Sequence, residues 1–543
     1  MSSDHDQEKD HKATVDPHLY ANEPVDEEVG IAKHGDALHK DLKSRHMQMI
    51  AIGGAIGAGL FISSGSALAN GGPASLVICY LIVGIMLLFT MHALAEMAVL
   101  YPVNGAFYTY IVRFVDPSWG FAVGLDYAIS WLTVLPFELT AASLTIRFWR
   151  DDVNVAVWIT MFLVVLVIIQ LFGVRGYGEV EFILSLIKIC ACTGFILFGI
   201  IYNCGGVGSQ GYIGAKYWYD PGAFNNGFNG FAGVFSVAAF AFAGTELSGL
   251  AAAESANPRK AIPQATKQVF WRILFFYVIN LLILGLVLPY NDTRLLEASS
   301  SSSRFSPFVL AIEDAGVKVL PHIFNAVITI SVISVANSCT YGSTRTLQAM
   351  AERGMAPKLL AYVDKQGRPI WCVVLQIAFG LLAYIGVAGN QGVIFTWLLS
   401  LSGLSYFFVW GSICFAHIRF RQGWKHQGYN LQQLPYKAPL GIIGSCLGLL
   451  LNILAIMATF YTALYPTGDA TPTADYFFEQ FLAAPIILFL YLFWKLYSRD
   501  WRLFVRVHEM DLRSGARTLE LDDEPMPVKT WKNLPMRVVH AVI

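Results

Sequence analysis

Charge is what this chain has least of. Only 14% of its 543 residues are Asp, Glu, Lys or Arg, against about 25% in a soluble globular protein. Hydrophobic residues make up 55%, and the mean hydropathy is +0.52. The shortfall excludes a soluble enzyme, a nucleic-acid binder and a disordered protein, and a net charge of −1 gives no basic character toward nucleic acid. Cysteine is scarce too. Cys79, Cys190, Cys192, Cys339, Cys372, Cys414 and Cys446 lie scattered in apolar runs, and Cys204 stands at the end of one. No spacing suits zinc or a disulfide framework, and small apolar side chains account for most of them. No HExxH motif, nucleophile elbow or metal-ligating cluster is present, so neither enzyme chemistry nor a cofactor is expected.

Long apolar blocks are what the chain has in their place. They fall at 47–68, 74–100, 119–146, 154–172, 182–203, 230–252, 269–289, 320–345, 371–388, 392–416, 440–465 and 477–497, here numbered spans 1 to 12. About 20 apolar residues cross a bilayer as helix. The expectation is therefore an all-α membrane protein of twelve transmembrane helices over 47–497, between a polar tail at 1–46 and a second at 498–543. The first 46 residues have no hydrophobic core, so no signal peptide is expected, and a short interfacial piece fits near 40–46. Twelve spans put both tails on one side. Loops and tail segments of that side next to the spans carry 24 Lys and Arg against 6 opposite, which makes it cytoplasmic.

Two spans contain poor helix. Span 1 holds Gly53-Gly54-Ala55-Ile56-Gly57-Ala58-Gly59, and each glycine costs about 1 kcal/mol relative to alanine in a helix. Alone, this pattern reads equally as close helix packing. Span 6 holds Phe240-Ala241-Phe242-Ala243-Gly244-Thr245-Glu246 deep in an apolar run. The two spans are five apart, so spans 1–5 and 6–10 run in opposite directions through the membrane. Interrupted helices at matching places of inverted halves point to a transporter site. A break exposes N–H groups that suit an anion and C=O groups that suit a cation. A small zwitterion such as an α-amino acid needs both.

Ionisable residues inside the spans cost about 2.5–3.5 kcal/mol each on insertion scales, so each should face a cavity or a partner. They are Glu96, Asp126, Glu138, Lys188 and Glu246. Lys188 either cycles a proton, replaces a bound sodium by its own charge, or holds a permanent ion pair with a span 1 or span 8 carbonyl or a carboxylate. Glu246 either carries a proton or caps the broken helix. Glu138 follows Pro136 in span 3 and either lines the cavity or pairs structurally. Glu96 and Asp126 lie near cytoplasmic ends and are read as structural, and His92 as hydrogen-bonded. Phe240 and Phe242 are either ordinary apolar residues or a lid. Ser400, Ser402 and Ser405 are read mainly as glue between helices.

The chain resembles fungal amino-acid permeases of the amino acid–polyamine–organocation superfamily, closest to the general amino acid permease group. The resemblance covers 40 to about 510. It rests on LKSRHMQMIAIGGAIGAGLF, NGGPASL, LAEMAVLYPVNGAF, LFGVRGYGEVEF, AFAGTELSGLAAAESANPRKAIPQATKQVFWRI and LSGLSYFFVWGSICFAHIRFR. It implies a five-plus-five inverted repeat with helices 1 and 6 broken, and proton-coupled amino-acid uptake across the plasma membrane. By similarity, the Gly57, Ala58 and Gly59 amides would hold the substrate carboxylate. The carbonyls of Ala55, Phe240 and Ala243 would hold its ammonium, beside Gly244. Phe240 would be an aromatic gate, and Lys188 would take the place of sodium. Many relatives carry Thr or Ser where this chain has Ala58, so its contact with the carboxylate would be through backbone alone.

The expected function is proton/amino-acid symport, with Lys188 and Glu246 as the proton-coupling candidates and amino acid, proton and lipid bilayer as partners. A sensor with a transporter fold and an obligate exchanger stand as alternatives. Arg147, Arg272 and Arg345 lie near span ends, so no cavity arginine marks an acidic substrate, and a neutral or broad range is favoured. A basic substrate has Glu138 or Glu246 to pair with. The loop at 254–268 reads as a gate linker or as a cytoplasmic anchor. Asn291 heads a glycosylation sequon close to the membrane. Lys9 and Lys12 are tail positions where the ubiquitin machinery could act.

Overall fold

The computed structural model describes residues 42–150, 152–295, 306–388, 391–467 and 472–516. Lys9, Lys12, the stretch 40–41 and the end of the second tail at 517–543 lie outside the described residues. Among those described the fold is all helical, apart from one isolated bridge between Leu42 and Ser255. Eight helices are long and apolar enough to cross a membrane, and a ninth is the pair Ala474–Phe481 and Ala483–Ser498, bent by 70°. Shorter apolar helices at Val155–Gln170 and Ile370–Tyr384 occupy the places of spans 4 and 9. Span 1 is split into Ser44–Gly53 and Ala58–Phe61 and then runs on within Ser63–Leu100. Inside that last helix Gly72 takes φ +80°, and Pro73 begins span 2. A β-carbon on Gly72 would meet the Ala223 carbonyl at 2.8 Å and be strained besides. The arrangement is consistent with twelve crossings.

Several boundaries differ from the sequence reading. The first helix starts at Ser44 rather than 47, because Leu42 is fixed by Leu42 N–H donating to Glu254 O at 3.1 Å and Ala256 N–H to Leu42 O at 3.1 Å. Most of the expected loop at 254–268 is helix. Pro258 opens a run Pro258–Val287 that becomes span 7, since proline is pre-organised for a first helical position. Only the stretch just before it remains a linker. The second tail begins as a docked strap. Lys495 Nζ lies 3.0 Å from Asp116 Oδ1, Val505 N–H donates to Val115 O at 2.8 Å, and Tyr101 OH donates to Leu512 O at 2.8 Å. Met510 and Leu512 are buried by this contact.

The structural assignments stand on specific partners. Glu96 accepts from Arg421 and from Ala438 N–H at 2.7 Å, with His417 at 3.1 Å. His92 Nδ1 meets Tyr436 OH at 2.8 Å. Asp126 bonds Ser405 but leaves Oδ2 buried without a partner among the described residues, so its structural role is only partly accounted for, and Ser402 lies 3.4 Å from Thr133 across spans 3 and 10. Ser400 is buried. Toward the cytoplasm, Arg345 Nε donates to Glu254 Oε1 at 2.8 Å and Tyr341 OH to Glu254 Oε2 at 3.2 Å. The linker is thus tied to span 8. Span 8 continues to Glu352, which is why Arg345 is buried rather than at a span end. Asn291 is exposed in a turn.

A candidate substrate site between two broken helices

The two breaks face each other. Span 1 loses helix between Gly53 and Ala58, and span 6 between Phe242 and Leu247. Gly244 has φ +91°, in the left-handed region that favours glycine. A β-carbon on Gly59 would lie 2.5 Å from Ala241 Cα, so only glycine lets the two backbones approach this closely. Tyr277 pins both breaks from span 7. Its hydroxyl lies 2.8 Å from Ala241 O and 3.2 Å from Ala55 O.

Ala55, Gly57, Gly59, Phe240, Ala243 and Glu138, all expected at the site, line one small cavity together with Trp131, Val134, Val335 and Tyr406. The Ala58 amide bonds the Glu138 carboxylate. Gly244 packs at its edge, where an added β-carbon would meet Trp131 at 3.3 Å. The cavity measures about 10 Å³, room for roughly one water molecule. An amino acid enters only if the walls move. Phe240 packs edge-on against Phe137, with ring centroids 4.8 Å apart, and so covers one side.

Glu138 Oε2 and Tyr406 OH are buried without a hydrogen-bond partner among the described residues. Buried polar atoms are almost always paired, and unpaired ones concentrate where a ligand or water belongs. Span 3 supplies the row Tyr127, Trp131, Val134 and Glu138. These steps of four, three and four put all of them on one helix face.

Glu246 sits at the same junction with a different environment. Its Oε1 accepts from Tyr127 OH at 2.9 Å and Gly244 N–H at 3.2 Å, and its Oε2 from Trp410 Nε1–H at 3.2 Å. Arg272, fully buried, donates to Thr245 Oγ1 and lies within electrostatic reach of Glu246. This corrects the sequence placement of Arg272 at a span end. Span 7 starts earlier than expected, and a π-helical stretch Arg272–Ile279 turns the guanidinium and Tyr277 inward.

Lys188 is not part of this cavity. It is fully buried 3.6 Å from the carboxylate of Glu181, which is also fully buried. Glu181 Oε2 accepts from Ser334 Oγ at 2.7 Å, and Ser185 Oγ lies 3.2 Å from both Glu181 Oε1 and Met49 O. Spans 1, 5 and 8 therefore meet here. Tyr277, Arg272, Trp131 and Tyr406 were not assigned to the junction from sequence, nor Glu181 to the place beside Lys188. The seven-residue step from Glu181 to Lys188, two turns on one face, was a usable signal.

Residues 46–507 match the family model described as amino acid permease. The chain belongs to the amino acid permease family. The permease is 52% identical to cationic amino acid transporter 1 of Schizosaccharomyces pombe, over 90% of this chain and 84% of that one. It is 48% identical to general amino-acid permease GAP1 of Saccharomyces cerevisiae, over 94% and 85%. Its fold is similar to the manganese transporter of Eremococcus coleocola, with a TM-score of 0.52 at 14% identity, over 84% of this chain and 94% of that one. That likeness concerns architecture alone. The permease is a multi-pass membrane transporter of amino acids.

Proposed function

We propose that the permease imports amino acids across the plasma membrane together with protons, over a neutral or broad range, with both termini in the cytoplasm. The observation that carries this is the junction of two helix breaks around the unsatisfied oxygen of Glu138. The amides of Gly57, Ala58 and Gly59 receive the substrate carboxylate, which displaces Glu138 from the Ala58 N–H. The carbonyls of Ala55, Phe240 and Ala243 receive the ammonium. Every α-amino acid carries this head, so recognition by backbone alone favours breadth. Relatives named as general and as cationic permeases agree with such a range, and the displaced Glu138 carboxylate suits a cationic side chain.

Lys188 is the proton-carrying group in this reading. For Glu246 the three donors on its two oxygens favour the capping role. One proton moving through 100 mV supplies about 2.3 kcal/mol, and each tenfold proton gradient adds about 1.4 kcal/mol. The test is uptake of radiolabelled amino acids in cells stripped of their own permeases, at low and neutral external pH and with a protonophore. Concentrative uptake that rises at low pH and collapses with the protonophore is expected. Saturable binding without flux would make the protein a sensor, and flux only after preloading would make it an exchanger.

A further inference from the structure

Lys188 needs a route by which a proton leaves it on the cytoplasmic side, and the buried groups around it supply one. We propose that Glu181 takes the proton from Lys188 and hands it to the cytoplasm, making Glu181 the inward proton acceptor of the transport cycle. The proposal rests on the proton-coupled reading above and adds to it a residue and a direction.

With both termini in the cytoplasm, as proposed above, span 5 enters from that side at Gly173, so Glu181 lies about 10 Å closer to it than Lys188, at 1.5 Å per residue. Both side chains are fully buried. Glu138 of the substrate cavity is also close enough to act on Lys188 electrostatically. Lys188 is therefore within reach of two carboxylates, one in the candidate substrate site and one toward the cytoplasm. Beyond Glu181 the polar chain continues. Ser338 Oγ lies 3.4 Å from Glu181 Oε2 and 3.2 Å from Tyr177 OH. Tyr177 stacks flat on Tyr341 at 4.8 Å, and Tyr341 donates to Glu254, the carboxylate that joins the linker to Arg345.

The groups facing the pair come from every neighbouring element. They include Glu138 from span 3, Tyr177, Ser185 and Cys192 from span 5 itself, Ser334 and Ser338 from span 8, and the Met49 carbonyl from span 1. His46, paired with Glu179, and the Arg345–Glu254 pair lie further toward the cytoplasm. In the transfer, an N–H bond of the Lys188 ammonium breaks and an O–H bond forms on Glu181. A neutral amine and a neutral acid replace the ion pair. When the Glu254–Arg345 closure opens, the acid gives the proton to cytoplasmic water and is a carboxylate again. The amine is then reprotonated when the site next faces outward. Total charge in the buried pair changes at two steps, proton release to the inside and reprotonation from the outside.

The test uses Glu181→Gln in the full-length permease, with Glu181→Asp beside it. Proton current on adding amino acid, concentrative uptake, and exchange of labelled for unlabelled amino acid at equal pH are measured for each. Exchange needs no net proton release. Glu181→Gln is expected to lower current and concentrative uptake by about tenfold or more while keeping at least about half of wild-type exchange, and to flatten the dependence of uptake on external pH. Glu181→Asp is expected to recover much of the current. Equal loss of exchange and uptake in Glu181→Gln, or an unchanged proton current, would overturn the role of Glu181. Absence of a proton current in the wild type would remove the proton-coupled reading and this proposal together, and is seen before any variant is made.

Discussion

Glu138 and Glu246 are carboxylates of the same junction, no more than 1% exposed. Every oxygen of Glu246 is engaged, by a tyrosine, a tryptophan and the amide of the break it follows. Glu138 bonds one amide of the other break and leaves its second oxygen without a partner. At this junction the carboxylate with both oxygens engaged holds the break together, and the one with a spare oxygen faces the cavity. In the proposed reading the same residue type thus serves the fold on one side of the junction and the ligand on the other.

Substitution should separate the two. Glu246→Ala leaves a tyrosine hydroxyl, an indole N–H and the Gly244 amide without their acceptor. Breaking a buried charged network in this way costs about 3–5 kcal/mol. Thermal unfolding of the purified permease should register this as loss of most folded protein, and a wild-type melting temperature would erase the contrast. Gly59→Ala drives a methyl into the Ala241 backbone, where nothing flexible can yield. Overpacking of about 1–3 kcal/mol should appear as strongly reduced uptake of every amino acid, measured against surface level. Glu138→Gln keeps the shape and an acceptor for Ala58 N–H but removes the charge. The KM for basic amino acids should rise about tenfold, equivalent to about 1.4 kcal/mol, with neutral ones changed far less. Tyr277→Phe removes one hydroxyl shared by both breaks, worth about 1 kcal/mol, and should slow uptake a few-fold with little change in selectivity.

The breaks were legible in sequence because glycine and a carboxylate in mid-span contradict a continuous membrane helix. The same logic found Glu138, Lys188 and Glu246, each an ionisable group in an apolar run. Glu181 escaped because it sits one residue outside the apolar block at 182–203, although helix geometry places it two turns below Lys188. Tyr277 and Arg272 escaped for another reason. Their inward direction depends on the early start of span 7 at Pro258 and on the wide turn at Arg272–Ile279, neither of which hydropathy registers. Nothing in the sequence marks Trp131 and Tyr406, and only the packed structure separates a core ring from a cavity wall.

The most direct test of the contrast is the melting temperature of purified wild type, Glu138→Gln and Glu246→Gln, each with and without saturating lysine. A ligand that binds only the folded state raises stability by RT ln(1 + [L]/Kd). Glu138→Gln should melt within about 2 °C of wild type when ligand-free, since its fold contacts are kept, and lose most of the lysine-induced rise. Glu246→Gln should melt well below wild type. A Glu138→Gln permease that melts far lower yet retains the full lysine response would contradict the assignment of Glu138 to the ligand and Glu246 to the fold.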